Sequence, residues 1–337
     1  MWISGFGPDS GVTSLCAGFS HTCLIKQGQV YCWGFNGQMQ AGQVVPIMFG
    51  APTLVAGIPT NVSSVSCGYE HTCVVLDDNR AMCWGNNLMG ELGDESLPTT
   101  PTAIPQFVHD FIDVVEITAG YYSTCVVRLI NSPLSSERQT WCWGNNGNGQ
   151  LGVGDNNSPK AQAERMNPDF LGGPKVSPVA GLAAFCGINQ QDGAARCVGY
   201  GSGGQLGYGD IFEKKTLTAV SGLGYGVRQT SMSVANNRAC AIRDDGTAYC
   251  WGDYSGTCCL GDGFTATEST KIPQQVDRFG PTDFAQIGVG RNTICAVRGA
   301  AADQVWCWGV NSFGGLGIGV VDSTTYTSPQ QVFFEAA

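Results

Sequence analysis

Six times along the chain a cysteine is followed about ten residues later by a second cysteine that opens the motif CWG or a close relative of it. The pairs are Cys23 with Cys32, Cys73 with Cys83, Cys125 with Cys142, Cys186 with Cys197, Cys240 with Cys250 and Cys295 with Cys307. Their second members stand 51, 59, 55, 53 and 57 residues apart. Self-similarity at a fixed period identifies a supersecondary unit that buries its apolar surface against copies of itself, so it constrains the whole fold. The period runs from end to end of the 337 residues. One repeat domain over 1–337 is therefore expected rather than two ordinary domains.

Within each unit an alternating stretch ends on a small residue, usually Gly, and the first cysteine follows five residues later. Gly18, Gly68, Gly120, Gly181 and Gly290 stand in this relation to their cysteines, and Ala235 takes the place in the fifth unit. A short apolar strand, a turn and a strand ending in the second cysteine come next, which is a β-hairpin pattern. Gln27-Gly28 suits a two-residue turn, and Asp244-Asp245-Gly246 suits a three-residue turn closing on Gly. Opposed residues of an antiparallel pair have Cα atoms about 4.5–5.5 Å apart, within reach of a disulfide. Each pair is thus expected to form a cross-strand disulfide inside its own unit. A thiolate metal site needs three or four converging ligands. Two cysteines per unit, with three histidines in the whole chain, do not supply them, and no metal is expected.

Beyond each CWG lies a glycine-rich loop, then a polar stretch and another short strand, as in TPTAIPQF from Thr100 and TKIPQQV from Thr270. The loops carry no GK[ST] and open no helical pattern, so they read as turns and not as phosphate cradles. Four strands per unit, no helix and six units imply an all-β fold: a β-propeller of six four-stranded blades, with seven as the alternative. A seventh blade would have to be a degenerate one built from the first residues and the C-terminal strands. A blade shared between the two termini is the more economical picture.

Sixteen cysteines at regular spacing exceed what a reducing compartment usually holds, and place the protein in the extracellular space or at the cell surface. The first residues lack the charged start and apolar core of a signal peptide, so either a leader has been removed or export takes another route. No apolar run approaches the roughly 18 residues of a membrane span. Asn61 (NVS) and Asn156 (NNS) stand in glycosylation sequons. Charged residues make up 13%, about half the usual share of roughly 25%. A net charge of -10 argues against nucleic acid or an anionic membrane as partner, because both need a basic patch. Protein and glycan surfaces remain.

Four cysteines fall outside the rhythm. Cys67 stands one residue before its Gly and Cys16 two residues before its own, and a one-residue offset turns a strand side chain to the other face. Cys16 and Cys67 are therefore candidates for a disulfide between the first and second blades, the alternative being two buried thiols. Cys258 and Cys259 lie together in a lengthened loop of the fifth unit, open to a vicinal disulfide, to bonds with another chain, or to burial or independent pairing. The third unit inserts residues between its cysteines (Arg128 to Trp141) and before the next unit (Ser158 to Pro178). Insertions in repeat proteins map to loops, often on the binding face.

His21 and His71 occupy one repeat position, as structural histidines bonding a neighbouring loop would, and His109 stands alone. Trp33, Trp84, Trp143, Trp251 and Trp308 likewise recur, with Val198 in the equivalent place, and read as blade packing. Acid–base catalysis needs a unique convergent constellation, which positions repeated around a fold do not make. No catalytic residue and no cofactor are expected.

The succession GYEHTCVV, a turn and AMCWGNNLMGELGD, from Gly68 to Asp94, resembles the repeat of the regulator of chromosome condensation family. There a Gly-x-x-His-Thr strand leads to Trp-Gly-x-Asn and a Gly-Gln-Leu-Gly loop. The resemblance covers essentially the whole chain and implies a propeller, commonly of seven blades. Relatives of the nuclear founder act as exchange factors on a small GTPase and bind chromatin. This chain departs from them in being acidic, lacking a basic tail and carrying cysteines suited to oxidation. Its cysteine-bearing form is more similar to the extracellular propellers of Crinkly-type plant receptor kinases and to secreted bacterial members, one of which inhibits β-lactamases through a protein-binding face. A fold of this kind hosts unrelated activities. The function expected is a secreted or cell-surface, non-catalytic binding and structural module. It works through protein or glycan contacts, as a subunit of a larger assembly, homo-oligomer or filament included. The alternatives are an enzyme with a central-channel site and a small-GTPase exchange factor.

Overall fold

Short strands rich in β-branched residues, separated by turns in which Gly and Asn take positive φ, repeat six times and give six separate sheets. The computed structural model describes residues 11–45, 47–108, 111–132, 135–167, 179–181, 183–189, 192–232, 237–253, 260–263, 269–276, 283–290, 292–299, 304–312 and 314–332. The chain falls into two compact units, residues 1–174 and 175–337.

The first unit holds three blades. Blade 1 is β1 (Val12–Ala17), β2 (His21–Lys26), β3 (Gln29–Phe35) and β4 (Met48–Leu54). Blade 2 is β5 (Val62–Cys67), β6 (His71–Leu76), β7 (Ala81–Gly85) and β8 (Thr102–Phe107), and blade 3 is β9 (Val114–Ala119), β10 (Ser123–Ser132), β11 (Ser135–Gly144) and β12 (Lys160–Arg165). The second unit holds blade 4, β13 (Val179–Gly181), β14 (Ala184–Ile188), β15 (Ala195–Gly199) and β16 (Lys214–Ala219); blade 5, β17 (Val227–Met232), β18 (Arg238–Arg243), β19 (Ala248–Gly252) and β20 (Thr270–Gln275); and blade 6, β21 (Phe284–Val289), β22 (Thr293–Arg298), β23 (Gln304–Val310) and β24 (Thr325–Gln331).

Every sheet is an antiparallel meander of four consecutive strands drawn from one contiguous stretch. The architecture is all-β, with six four-stranded propeller blades. Among the described residues there is no seventh blade. The first and last sheets are each complete from their own segment, which corrects the expectation of a blade shared between the termini. No helix is long and apolar enough to cross a membrane among the described residues.

Turn chemistry sets the hairpin registers. Gln27 and Gly28 both adopt positive φ, 53° and 75°, as a two-residue primed turn requires. The insertion Arg128 to Trp141 is not a loop. β10 and β11 simply run on, paired as far as Ser132 opposite Ser135, so the extra residues lengthen a hairpin whose backbone groups satisfy one another. Of the second insertion, residues 168–178 lie outside the described residues.

In all six hairpins the two cysteines are directly opposed, as Cys23 is to Cys32 and Cys73 to Cys83. Each pair is a disulfide with a Cα–Cα separation of 4.1 Å. A seventh disulfide joins Cys16 on β1 to Cys67 on β5 across two blades. Cys16 is in register with Cys23, whereas Cys67 is in register with Thr72 and its neighbour Ser66 with Cys73. The one-residue offset therefore points the two thiols at each other from facing sheets.

The same alternation builds the core. In the Cys-Trp dipeptide that ends five of the six hairpins, with Cys197-Val198 in blade 4, consecutive side chains leave opposite faces of the sheet. Within each unit the staple of one blade faces the indole of the next. Cys23, Ile25, Val30 and Cys32 of blade 1 pack with Val74, Leu76, Met82 and Trp84 of blade 2. Cys73 and Cys83 of blade 2 pack with Val126 and Trp143 of blade 3. In the second unit, Cys186 and Cys197 lie in one cluster with Trp251, and Cys240 and Cys250 in another with Trp308. All four indoles are fully buried.

Trp84 also donates through Nε1 to the carbonyl of Gln40, at 3.0 Å, in the preceding blade's loop. Trp84→Ala should lower the unfolding free energy by about 3–5 kcal/mol, as expected for a buried aromatic truncated in a core. Denaturant unfolding of the two proteins at equal slope is the measurement.

Candidate functional site

Connections between the first and second strands of a meander, and between its third and fourth, emerge on the same edge of the blade. In the first unit this edge is held by a repeated polar relay. His21 Nε2 lies 2.8 Å from Thr72 Oγ1 in the next blade, and Thr72 Oγ1 donates to the Gln40 carbonyl at 2.8 Å. His71 Nε2 lies 2.9 Å from Thr124 Oγ1, which donates to the Glu91 carbonyl at 2.9 Å. Because each hydroxyl spends its single proton on the carbonyl, the histidine must be the donor and carries its proton on Nε2. Trp143 Nε1 donates to the same Glu91 carbonyl at 2.7 Å. The histidines and tryptophans thus tie one blade to the next.

This relay explains the glycine five residues before the first cysteine. A Cβ on Gly18 would lie 2.3 Å from the His21 ring and 2.4 Å from the Gly68 carbonyl, and one on Gly68 would lie 2.4 Å from His71 and 2.6 Å from the Gly120 carbonyl. Only glycine lets the ring and the neighbouring backbone share that space.

The residues after these glycines are brought together as an aromatic strip across three blades. Ring centroids of Phe19 and Tyr69 are 4.4 Å apart, those of Tyr69 and Tyr121 4.4 Å, and those of Tyr121 and Tyr122 4.4 Å. The Tyr69 amide donates to the Gly120 carbonyl at 2.9 Å, which fixes the loops side by side. Phe19 is exposed and the three tyrosines are half-buried. Glu70 lies in the strip: its Oε2 accepts from Asn86 Nδ2 at 3.0 Å and from the Tyr122 hydroxyl at 3.4 Å. Burial, with Glu70 adding to it, pushes the Tyr122 hydroxyl up, so it stays protonated and able to donate. On the same edge, Val44, Val45, Ile47 and Met48 of blade 1 and Leu88 of blade 2 are exposed. Exposed and half-buried aromatic side chains in contact with one another mark an interaction face. Sequence reasoning missed the strip, because Phe19, Tyr69 and Tyr121 fill variable positions of the repeat; an aromatic after the glycine in three successive units was the available signal.

Asn61 and Asn156 are both exposed, in the connections before β5 and before β12. The sulfurs of Cys16, Cys23 and Cys67 lie within 4.8 Å of one another, but all three are already in disulfides. Cys258, Cys259 and His109 lie outside the described residues.

Three groups on this edge are shifted far from their ordinary range. Burial lowers His21 from 6.5 to about 4, and burial together with the neighbouring His21 lowers His71 from 6.5 to about 3. Glu91, in the place of the repeat's Gln, is raised by burial from 4.5 to about 7. Between pH 6.5 and 4.5 the unfolded chain holds two more histidine protons, and the native chain holds one more on Glu91. The net is one proton, so stability should fall as pH drops, by about 1.4 kcal/mol per pH unit from these groups. Glu91→Gln removes the opposing contribution and should roughly double that slope, whereas His71→Gln should flatten it. Urea unfolding at several pH values reads both.

Comparison with known proteins agrees with this geometry. The regulator of chromosome condensation (RCC1) repeat is matched at residues 12–40 and 62–91, and in a second form at 27–75. The ultraviolet-B receptor UVR8 of Arabidopsis thaliana is 27% identical over 97% of this chain and 71% of its own length. The human E3 ubiquitin-protein ligase HERC2 is 28% identical over 90% of this chain, which spans only 6% of HERC2. Among solved structures, Prp20p from Saccharomyces cerevisiae superposes with a TM-score of 0.77 at 15% identity, over 97% of this chain and 78% of its own. The chain therefore carries regulator of chromosome condensation (RCC1) repeats over residues 12–91 and is similar, over nearly its full length, to RCC1-type β-propellers, in a disulfide-rich form.

Proposed function

We propose that the protein is a secreted or cell-surface binding module that acts through protein contacts rather than catalysis, with the aromatic loop edge of its first unit as the binding face. The observation that carries this reading is that edge, four aromatic side chains in contact across three blades, on a scaffold stapled by seven disulfides among the described residues. Rigid, half-exposed tyrosines supply contact area at low entropic cost and are enriched at interfaces. Prp20p, of the same fold, binds Gsp1p and histones, which supports action through protein contacts. Disulfides persist in oxidising compartments, which supports placement outside the cytosol.

Two measurements test the proposal. Alkylation and mass mapping of protein taken from its source without reductant should find the six hairpin pairs oxidised; free thiols at those positions would overturn the compartment. A photo-crosslinking residue at position 19 should capture a partner on the source surface. The same residue at position 80, in the β6–β7 turn at the other end of its blade, should not. Adducts from position 80 alone, or from neither, would remove the aromatic edge as the binding face.

A further inference from the structure

The aromatic edge holds a carboxylate, Glu70, among its rings. Rings 4.4 Å apart touch one another, so the strip is a platform that receives a group on its surface and not a cage that encloses one. Within it, both protein donors converge on a single oxygen of Glu70, Oε2. Neither donor uses Oε1 of this half-buried carboxylate, and one of them, Tyr122, has its ring against Tyr69 and Tyr121. The cations of this unit are engaged elsewhere: Arg80 with Asp78, Arg128 with Asp113, Arg138 with Glu116, Lys160 with Asp155 and Glu164, and Arg165 with Glu137. None of these ion pairs involves Glu70, and Lys26 ends β2 at the far end of its hairpin. Asp94 and Glu95 add negative charge to the loop between β7 and β8. The chain as a whole carries a net charge of -10.

We propose that the Phe19–Tyr69–Tyr121 platform and Glu70 together receive an arginine side chain on a basic segment of a partner protein. A guanidinium is planar and weakly hydrated, so it stacks on aromatic faces while its edge hydrogen-bonds a carboxylate; a lysine ammonium does the second and lacks the planar fit. Glu70 disfavours an anionic partner. A neutral glycan would use the rings but gains nothing from the Glu70 charge. The inference rests on the reading of this edge as the binding face and specifies what that face accepts.

The test titrates dye-labelled hexa-arginine, hexalysine and the neutral sugar chitohexaose against the whole chain in about 0.1 M salt, where long-range attraction is largely screened. Hexa-arginine binding should weaken about tenfold in Tyr69→Leu/Tyr121→Leu, which removes the rings but keeps apolar volume, and about fivefold in Glu70→Gln. Hexalysine should bind the parent protein several-fold more weakly than hexa-arginine. Glu95→Gln, in the β7–β8 loop beside Phe111, Arg128 and Trp141 rather than at the platform, should change hexa-arginine binding by less than about twofold. Thermal melts of each variant establish that it is folded; should the tyrosine pair not fold, Glu70→Gln against Glu95→Gln decides alone. Equal losses in those two variants, or no loss when the rings are removed, would overturn the proposal, because bulk acidity then accounts for the binding. Ring-dependent binding of chitohexaose without ring-dependent binding of hexa-arginine would overturn the arginine partner and leave the binding edge intact.

Discussion

The structure depends on one dipeptide parity. Cysteine and tryptophan are adjacent at the end of five of the six hairpins, so the pleat sends the disulfide to one face of the blade and the indole to the other. Within each unit the staple of one blade meets the indole of the next, as Cys23–Cys32 meets Trp84 and Cys73–Cys83 meets Trp143. A hairpin of two short strands is marginal by itself. Here the disulfide restricts its unfolded state, and the neighbouring indole takes its apolar face out of water. Where Val198 replaces the indole in blade 4, the position remains fully buried.

A second, polar repeat lies above this apolar one and organises the loop edge. Histidine, threonine and a loop carbonyl form one continuous donor chain between blades, in surroundings dry enough to keep both imidazoles neutral. The relay needs a glycine at its start, and that glycine brings the backbone of the next blade within contact. The side chain following it has nowhere to go but outward. The aromatic strip is thus a by-product of the geometry that joins the blades, and the side chains placed there are free of any packing duty in the core. Such positions are where a repeat scaffold acquires binding specificity without loss of stability.

Much of the fold was legible in the order of residues. The hairpins, their cysteine pairs and the blade count follow from turn chemistry and from a period repeated six times. The histidines and tryptophans could be recognised as structural because they recur. Less legible was everything set by strand length or by distance between repeats. The insertion from Arg128 to Trp141 reads as a loop, because nothing in its polar composition signals that both flanks keep pairing. The shared terminal blade was an inference from economy, whereas the strands of blades 1 and 6 each had enough residues to complete a sheet.

Local alternation and covalent pairing were written in the sequence, because they involve residues within about ten positions of one another and obey fixed periodicities. The Cys16–Cys67 disulfide stood at the boundary: its one-residue offset was visible, but only the packing of β1 beside β5 brings the two sulfurs together across 51 residues. The aromatic edge was assembled by tertiary structure. Phe19, Tyr69 and Tyr121 each follow the repeat's glycine, about fifty residues apart from blade to blade, but their order in the sequence does not say that the rings meet. They become one surface because the relay beneath them holds successive blades at a separation that only a glycine and a backbone carbonyl can share.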